Sequence, residues 1–140
     1  MVDGNSVVKR LEAVGEAVTH GHEAVLFDQG QPSVGAYVLK SGNTRLSLLD
    51  YEGTPIWSRT VEPGAILGLP STLGHTPYSL RATTVGQVEL VFVAKPKLEE
   101  LMRQDTVFCT ALLKVVSEEL VDFRRKLSLL RPQIPQRPQS

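Results

Sequence analysis

Little in this chain is extreme, and much is missing. Only one of its 140 residues is a cysteine, Cys109, so no intrachain disulfide can form. A reducing, cytoplasmic setting is expected. The charges cancel, with 15 Lys and Arg against 15 Asp and Glu. No global positive field draws the chain to nucleic acid or to an anionic membrane surface. No apolar run approaches the roughly 18 residues of a bilayer span, and the opening MVDGNSVVKR lacks the apolar core of a secretory leader. Catalytic signatures are absent too: there is no Gly-x-Ser-x-Gly, no phosphate-loop lysine and no Cys/His dyad. Glu99-Glu100 and Glu118-Glu119 are adjacent on helical stretches, so their side chains diverge and make no acid–base couple. His20, His22 and His75 have no cysteine or suitably spaced carboxylate to complete a metal set. The expectation is a protein without catalytic residues, metal or resident cofactor.

What remains is an ordinary globule, 41% hydrophobic and 21% charged, large enough for one domain with a real core. Residues 6–18 read as a short helix capped by Ser6, with Val7, Val8, Leu11, Val14 and Val18 on one stripe. From residue 23 to 93 the period shortens to two. Strands are expected at 23–27, 35–40, 44–49, 55–61, 79–84 and 87–93. Turn signals separate them at Gly30, at Ser41-Gly42-Asn43, at Gly53 and at Val85-Gly86. Many short strands with a turn about every ten residues imply an antiparallel roll or sandwich.

After the strands the period lengthens again. Pro96 fits the first turn of a helix over 96–102, and Asp105 or Thr106 caps a longer one over 106–130. Along it Val116, Leu120, Phe123, Leu127 and Leu130 are spaced 4-3-4-3, a heptad seam. Cys109 lies on an apolar face of the same helix and reads as core. Residues 131–140, RPQIPQRPQS, read as a disordered Pro/Gln-rich tail.

The least ordinary stretch is 63–82, PGAILGLPSTLGHTPYSLRA. Gly64, Gly68, Pro70 and Gly74 interrupt apolar residues, so it is not a solvated linker. Glycine lets a backbone approach a ligand closely, and successive amides at a helix start favour an anion. The plain alternative is a packed loop closing one end of a barrel.

The order of parts, together with Leu26-Phe27-Asp28-Gln29-Gly30, Ala36-Tyr37-Val38-Leu39-Lys40-Ser41-Gly42, Glu62-Pro63-Gly64, Gly68 and Tyr78-Ser79-Leu80-Arg81-Ala82, resembles a cyclic-nucleotide-binding domain. The closer resemblance is to the effector domain of Crp/Fnr (catabolite activator) regulators. It implies an α+β, mainly β fold: a double-stranded β-helix, or jelly-roll-like β-roll, with an N-terminal helix and a long C-terminal helix, over 1–130. It also implies that 63–82 corresponds to the phosphate cassette, with Gly64, Gly68, Leu69, Pro70, Ser71, Tyr78, Ser79 and Arg81 at its ligand-facing positions. The family's cassette carries a Gly-Glu pair for the ribose and an arginine for the phosphate. Here Leu69 stands in the glutamate's place and Tyr78 where the arginine is expected. No arginine occurs between Arg59 and Arg81. Losing both charged partners weakens cyclic AMP binding by roughly two to four decades.

Two functions are consistent with this reading. One is a stand-alone regulatory module of Crp/Fnr effector type, with a nucleotide-like or anionic effector and a C-terminal helix that transmits the signal. The other is a structural or protein-interaction dimerisation module with no small ligand. Both imply a homodimer through Val116, Leu120, Phe123, Leu127 and Leu130. Crp/Fnr regulators continue into a winged helix-turn-helix, which this sequence lacks, so no direct sequence-specific DNA binding is expected.

Overall fold

The computed structural model describes residues 4–129. Helix α1 (Gly4–Val14) leads into β1 (Glu16–His20) and β2 (Val25–Phe27), followed by β3 (Gly35–Leu49) and β4 (Pro55–Val61). A two-residue strand, β5 (Ile66–Leu67), and a short helix, α2 (Leu69–Leu73), precede β6 (Arg81–Ala94). Helices α3 (Lys95–Gln104) and α4 (Thr106–Leu129) follow. All strand pairs are antiparallel, in the order β1-β6-β3-β4, with β2 also on β6 and β5 on β3. This is the expected β-roll with its flanking helices.

Three local expectations need correction. The first helix ends at Val14 rather than Val18, and Glu16–His20 is a strand on β6, with Val18 opposite Leu90. Gly15 marks the break: a Cβ there would lie 2.3 Å from Val91 and 2.8 Å from the Phe92 carbonyl oxygen, so only glycine lets the chain cross β6 so closely. The signals at Ser41-Gly42-Asn43 and Val85-Gly86 do not end strands. They fall inside β3 and β6, where the ladder slips between Leu39 and Ser41 and again between Ser41 and Asn43. Gly42 (φ +82°) and Gly86 (φ +75°) supply the backbone these bulges need. The helix expected at 96–102 runs from Lys95 to Gln104.

Two cores result from the strand pleat. On β3, Ala36 and Val38 face one way and Leu39 the other. The first core joins Ala36, Val38, Val91 and Val93 of the sheet to Val7 and Leu11 of α1, Leu98 and Leu101 of α3, and Phe108 and Leu112 of α4. The second fills the roll with Phe27, Leu39, Val61, Leu67, Tyr78, Ala82, Val88 and Leu90.

Asp105 joins the helices. Its Oδ1 accepts from the Phe108 amide at 3.0 Å, capping α4, while Oδ2 accepts from Arg10 Nη1 of α1 at 2.8 Å. Arg10 also lies 5.5 Å over the Phe108 ring. These contacts hold the first half of α4 on the roll, with Val115 and Val116 packed against the first core. Further along, Leu120 is 45% exposed, and Leu113 and Val121 are exposed beside it. The side chains of Phe123 and Leu127, and all of Leu130, lie outside the described residues, as does the tail.

Candidate functional site: the 63–82 loop and the roll it closes

The loop is pinned at both ends by β-roll backbone. Gly64, with φ +100°, donates its amide to the Leu39 carbonyl at 2.8 Å, and Leu39 donates back to Ala65 at 2.9 Å. Ile66 and Leu67 then pair with Val38 and Tyr37. Gly68, with φ +77°, is the N-cap of α2, a position that disfavours any side chain. Pro70 sits in the first turn of this five-residue helix, and Leu69, fully buried, anchors it in the first core. At the far end Tyr78 donates its amide to Gln31 and accepts from the Gly30 amide.

The side chains expected to face a ligand are largely occupied by the fold. Tyr78 is 3% exposed. Its hydroxyl donates to the Gly35 carbonyl at 2.7 Å and accepts from the Val34 and Gly35 amides at 3.1 and 3.3 Å. Its ring stacks on Phe27, with centroids 4.1 Å apart. Arg81 does not reach the loop amides. Its Nε and Nη2 meet Asp28 Oδ1 and Oδ2 at 2.8 and 3.1 Å, and this pairing holds the Asp28 carboxyl below the usual range. Ser71 is buried, and its carbonyl accepts from Ser33 Oγ and from the Thr76 amide. Ser79 is exposed and Pro70 half-buried. The structure thus brings Gly68, Leu69, Pro70, Ser71 and Tyr78 together around α2, and sets Gly64 and Arg81 apart from them.

Three features went unnoticed in the sequence. Phe27 is the middle ring of a stack, with Tyr78 4.1 Å and Tyr37 6.2 Å away, so the roll has an aromatic interior. Thr44, fully buried opposite Val61 and Thr84, has a hydroxyl with no hydrogen-bond partner among the described residues. Glu119 on α4 reaches solvent, yet enough protein surrounds it that burial pushes its carboxyl up to about 7, with the Arg59 guanidinium of β4 pulling the other way. A buried aromatic is visible as a type in sequence, but its stacking partner is not. Nothing in the sequence distinguishes Thr44 or Glu119 from their neighbours.

Among the described residues no group of three His, Cys, Asp or Glu is placed to hold a metal. No helix among them is long and apolar enough to cross a membrane.

The cyclic nucleotide-binding domain model matches residues 18–105, from within β1 through the roll and α3. This chain belongs to the cyclic nucleotide-binding domain family. Solved cyclic nucleotide-binding and regulator structures share its fold. Catabolite activator protein from Thermus thermophilus superposes with TM-score 0.74 at 23% identity, over 89% of this chain and 59% of that one. A transcriptional regulator from Thermotoga maritima gives 0.75 at 16%, over 90% and 98%. The sensor domain of the regulator DNR from Pseudomonas aeruginosa gives 0.69 at 22%, over 85% and 80%. The first solved relatives are longer proteins, of whose length the chain spans 57%, 56% and 59%. No curated protein sequence matches it significantly. The resemblance to Crp/Fnr effector domains therefore holds at the level of fold. In the loop, His75 is the sole ionisable side chain between Pro63 and Tyr78.

Proposed function

We propose that this is a non-catalytic regulatory module of Crp/Fnr effector type whose phosphate cassette no longer grips a cyclic phosphodiester. One observation carries this reading. Where a cation is needed, a neutral tyrosine is packed against Phe27 with its hydroxyl committed to residues 34 and 35. The nearest arginine in sequence, Arg81, is already paired with Asp28. Of the cassette positions, the amides of Gly68, Leu69 and Ser71 and the Ser79 hydroxyl are neutral donors, while Gly64, Pro70, Tyr78 and Arg81 shape the shelf. A neutral or weakly polar effector suits such a site better than a phosphate diester. The unpartnered Thr44 hydroxyl gives the roll interior one polar anchor.

In this proposal the domain extends over 1–130 and works in the cytoplasm without direct DNA binding. Because α2 touches α4, occupancy of the roll biases α4 between two arrangements. The homodimer pairs through the second half of α4. A second reading, a dimerisation or protein-interaction module with no small ligand, is supported by the exposed Leu113, Leu120 and Val121 on that helix.

Calorimetric titration and thermal shift against cyclic AMP, cyclic GMP, cyclic dinucleotides and small anions test the first reading. The expected result is no micromolar binding of cyclic AMP. A micromolar dissociation constant with a matching rise in melting temperature would overturn the degenerate cassette. Sedimentation equilibrium tests the dimer.

A further inference from the structure

A concavity lies outside the roll's packed interior, against α2. It is a groove of about 390 Å³ between α2, α3 and α4, within the range of roughly 300–1,000 Å³ typical of small-molecule sites. Its floor is apolar, formed by Leu73, Leu98 and Met102. Thr72, also in the lining, asks nothing of a ligand, because its hydroxyl lies 2.9 Å from the Gly35 carbonyl and 2.8 Å from the Gly68 carbonyl.

The charges around this floor are unequal. Lys95 and Arg103 stand against a single carboxylate, Glu99. Lys95 and Arg103 each have Glu99 four residues away on α3, within helical reach, yet among the described residues neither side chain has an ion-pair partner. Two free cations above an apolar floor are arranged for a molecule with an anionic head and an apolar body. The rim also holds a strained residue: His75 has φ +55°, a conformation non-glycine residues seldom keep without a reason. Cys109, expected in the core, is only partly buried and lines this groove.

We propose that the α2–α3–α4 groove binds a small amphipathic organic anion, of the chemistry of a medium-chain carboxylate. Lys95 and Arg103, which outnumber Glu99 along the groove, draw the head, and the chain runs over Leu73, Leu98 and Met102. An occupant there touches α2 and α4 at once, so it stiffens the connection between the roll's loop and the long helix. This site does not overlap the interior of the roll.

The chain's single cysteine makes the test local. Alkylation of Cys109 by iodoacetamide, a neutral reagent, is followed by mass in the presence of decanoate, decanol or acetate. Decanoate should slow labelling about tenfold at saturation, and decanol and acetate at the same concentrations should not. The Lys95→Ala/Arg103→Ala double variant, and separately Lys95→Glu, should weaken the decanoate effect about tenfold or more in concentration. Arg103 is exposed and Lys95 half-buried, neither belongs to a core cluster, and an unchanged melting temperature confirms that each variant is folded. Labelling that decanoate leaves unchanged, or slows equally with decanol or in the double variant, overturns the proposal. The labelling mixtures hold no nucleotide and the sensor reading is tested by titration, so failure here is distinct from failure of that reading.

Discussion

Arg81 and Asp28 form a two-pronged ion pair, 2.8 and 3.1 Å, that ties the turn after β2 to the first residue of β6. Asp28 also caps its own turn, its Oδ1 accepting from the Gln29 amide. The pair is a strut of the roll, and each side chain is 35% exposed.

Arg81→Ala should therefore lower stability by about 1 kcal/mol, solvent screening keeping the loss small. Asp28→Asn should do the same. Because the folded carboxyl is held below its ordinary value of 3.8, the pair's contribution is full above that pH and is lost as pH falls through the lowered value. Urea unfolding at pH 7 and pH 3 checks this. Wild type and Arg81→Ala should differ at pH 7 and converge on acidification.

Tyr78→Phe keeps the stack on Phe27 and removes the hydroxyl. The Gly35 carbonyl retains Thr72, but the amides of Val34 and Gly35 lose the hydroxyl, the Gly35 one in a buried setting. The expected cost is about 1–3 kcal/mol, read as a lower denaturation midpoint with unchanged slope. Tyr78→Arg, which restores the family's charge, should be worse, because it buries an unpaired guanidinium where the hydroxyl now sits.

Gly68→Ala forces a side chain into a left-handed position and sets its Cβ 2.8 Å from the Tyr78 ring. Gly64→Ala meets the same backbone preference in open space. The first should cost about 2 kcal/mol or more and the second about 1 kcal/mol, so their difference measures the contact with Tyr78. Equal melting temperatures for the two variants would show that the ring yields freely.

Glu119 carries a raised folded value, about 7 against an ordinary 4.5. The folded state thus holds the proton more tightly, and stability should fall as pH rises from about 4.5 through 7. The side chain still meets water, so the slope is a fraction of one proton's. Glu119→Gln should flatten that part of the stability–pH curve. An identical profile in the variant would show that crowding near Arg59 does not control the titration.

Much of the fold was legible from local pattern. The change of hydrophobic period at residue 95 reflects a change from pleat to helix, and Asp105 caps α4 where capping chemistry predicts. Pro55 begins β4, an outer strand of the sheet, as its missing amide proton requires. Errors arose where a local signal had two uses. Gly42 and Gly86 read as turns, but positive φ serves a bulge equally well, and pairing partners far along the chain decide which. Val18 fits a helical stripe, yet five residues of ladder with β6 outweigh one more helical turn. The candidate site was legible as a location, from its glycines and prolines, and not as a set of functional groups.

By itself, then, the sequence determined the family and the absence of charge in the 63–80 loop, since these depend on which residues occur and in what order. Tertiary structure alone decided that Tyr78 is a core residue, that Arg81 belongs to Asp28, and that Cys109 opens onto a groove. Each of those depends on residues that lie far apart along the chain and meet only when β2, β3, β6 and the helices close around them. A side chain's partners are set by that closure, so its chemistry is too.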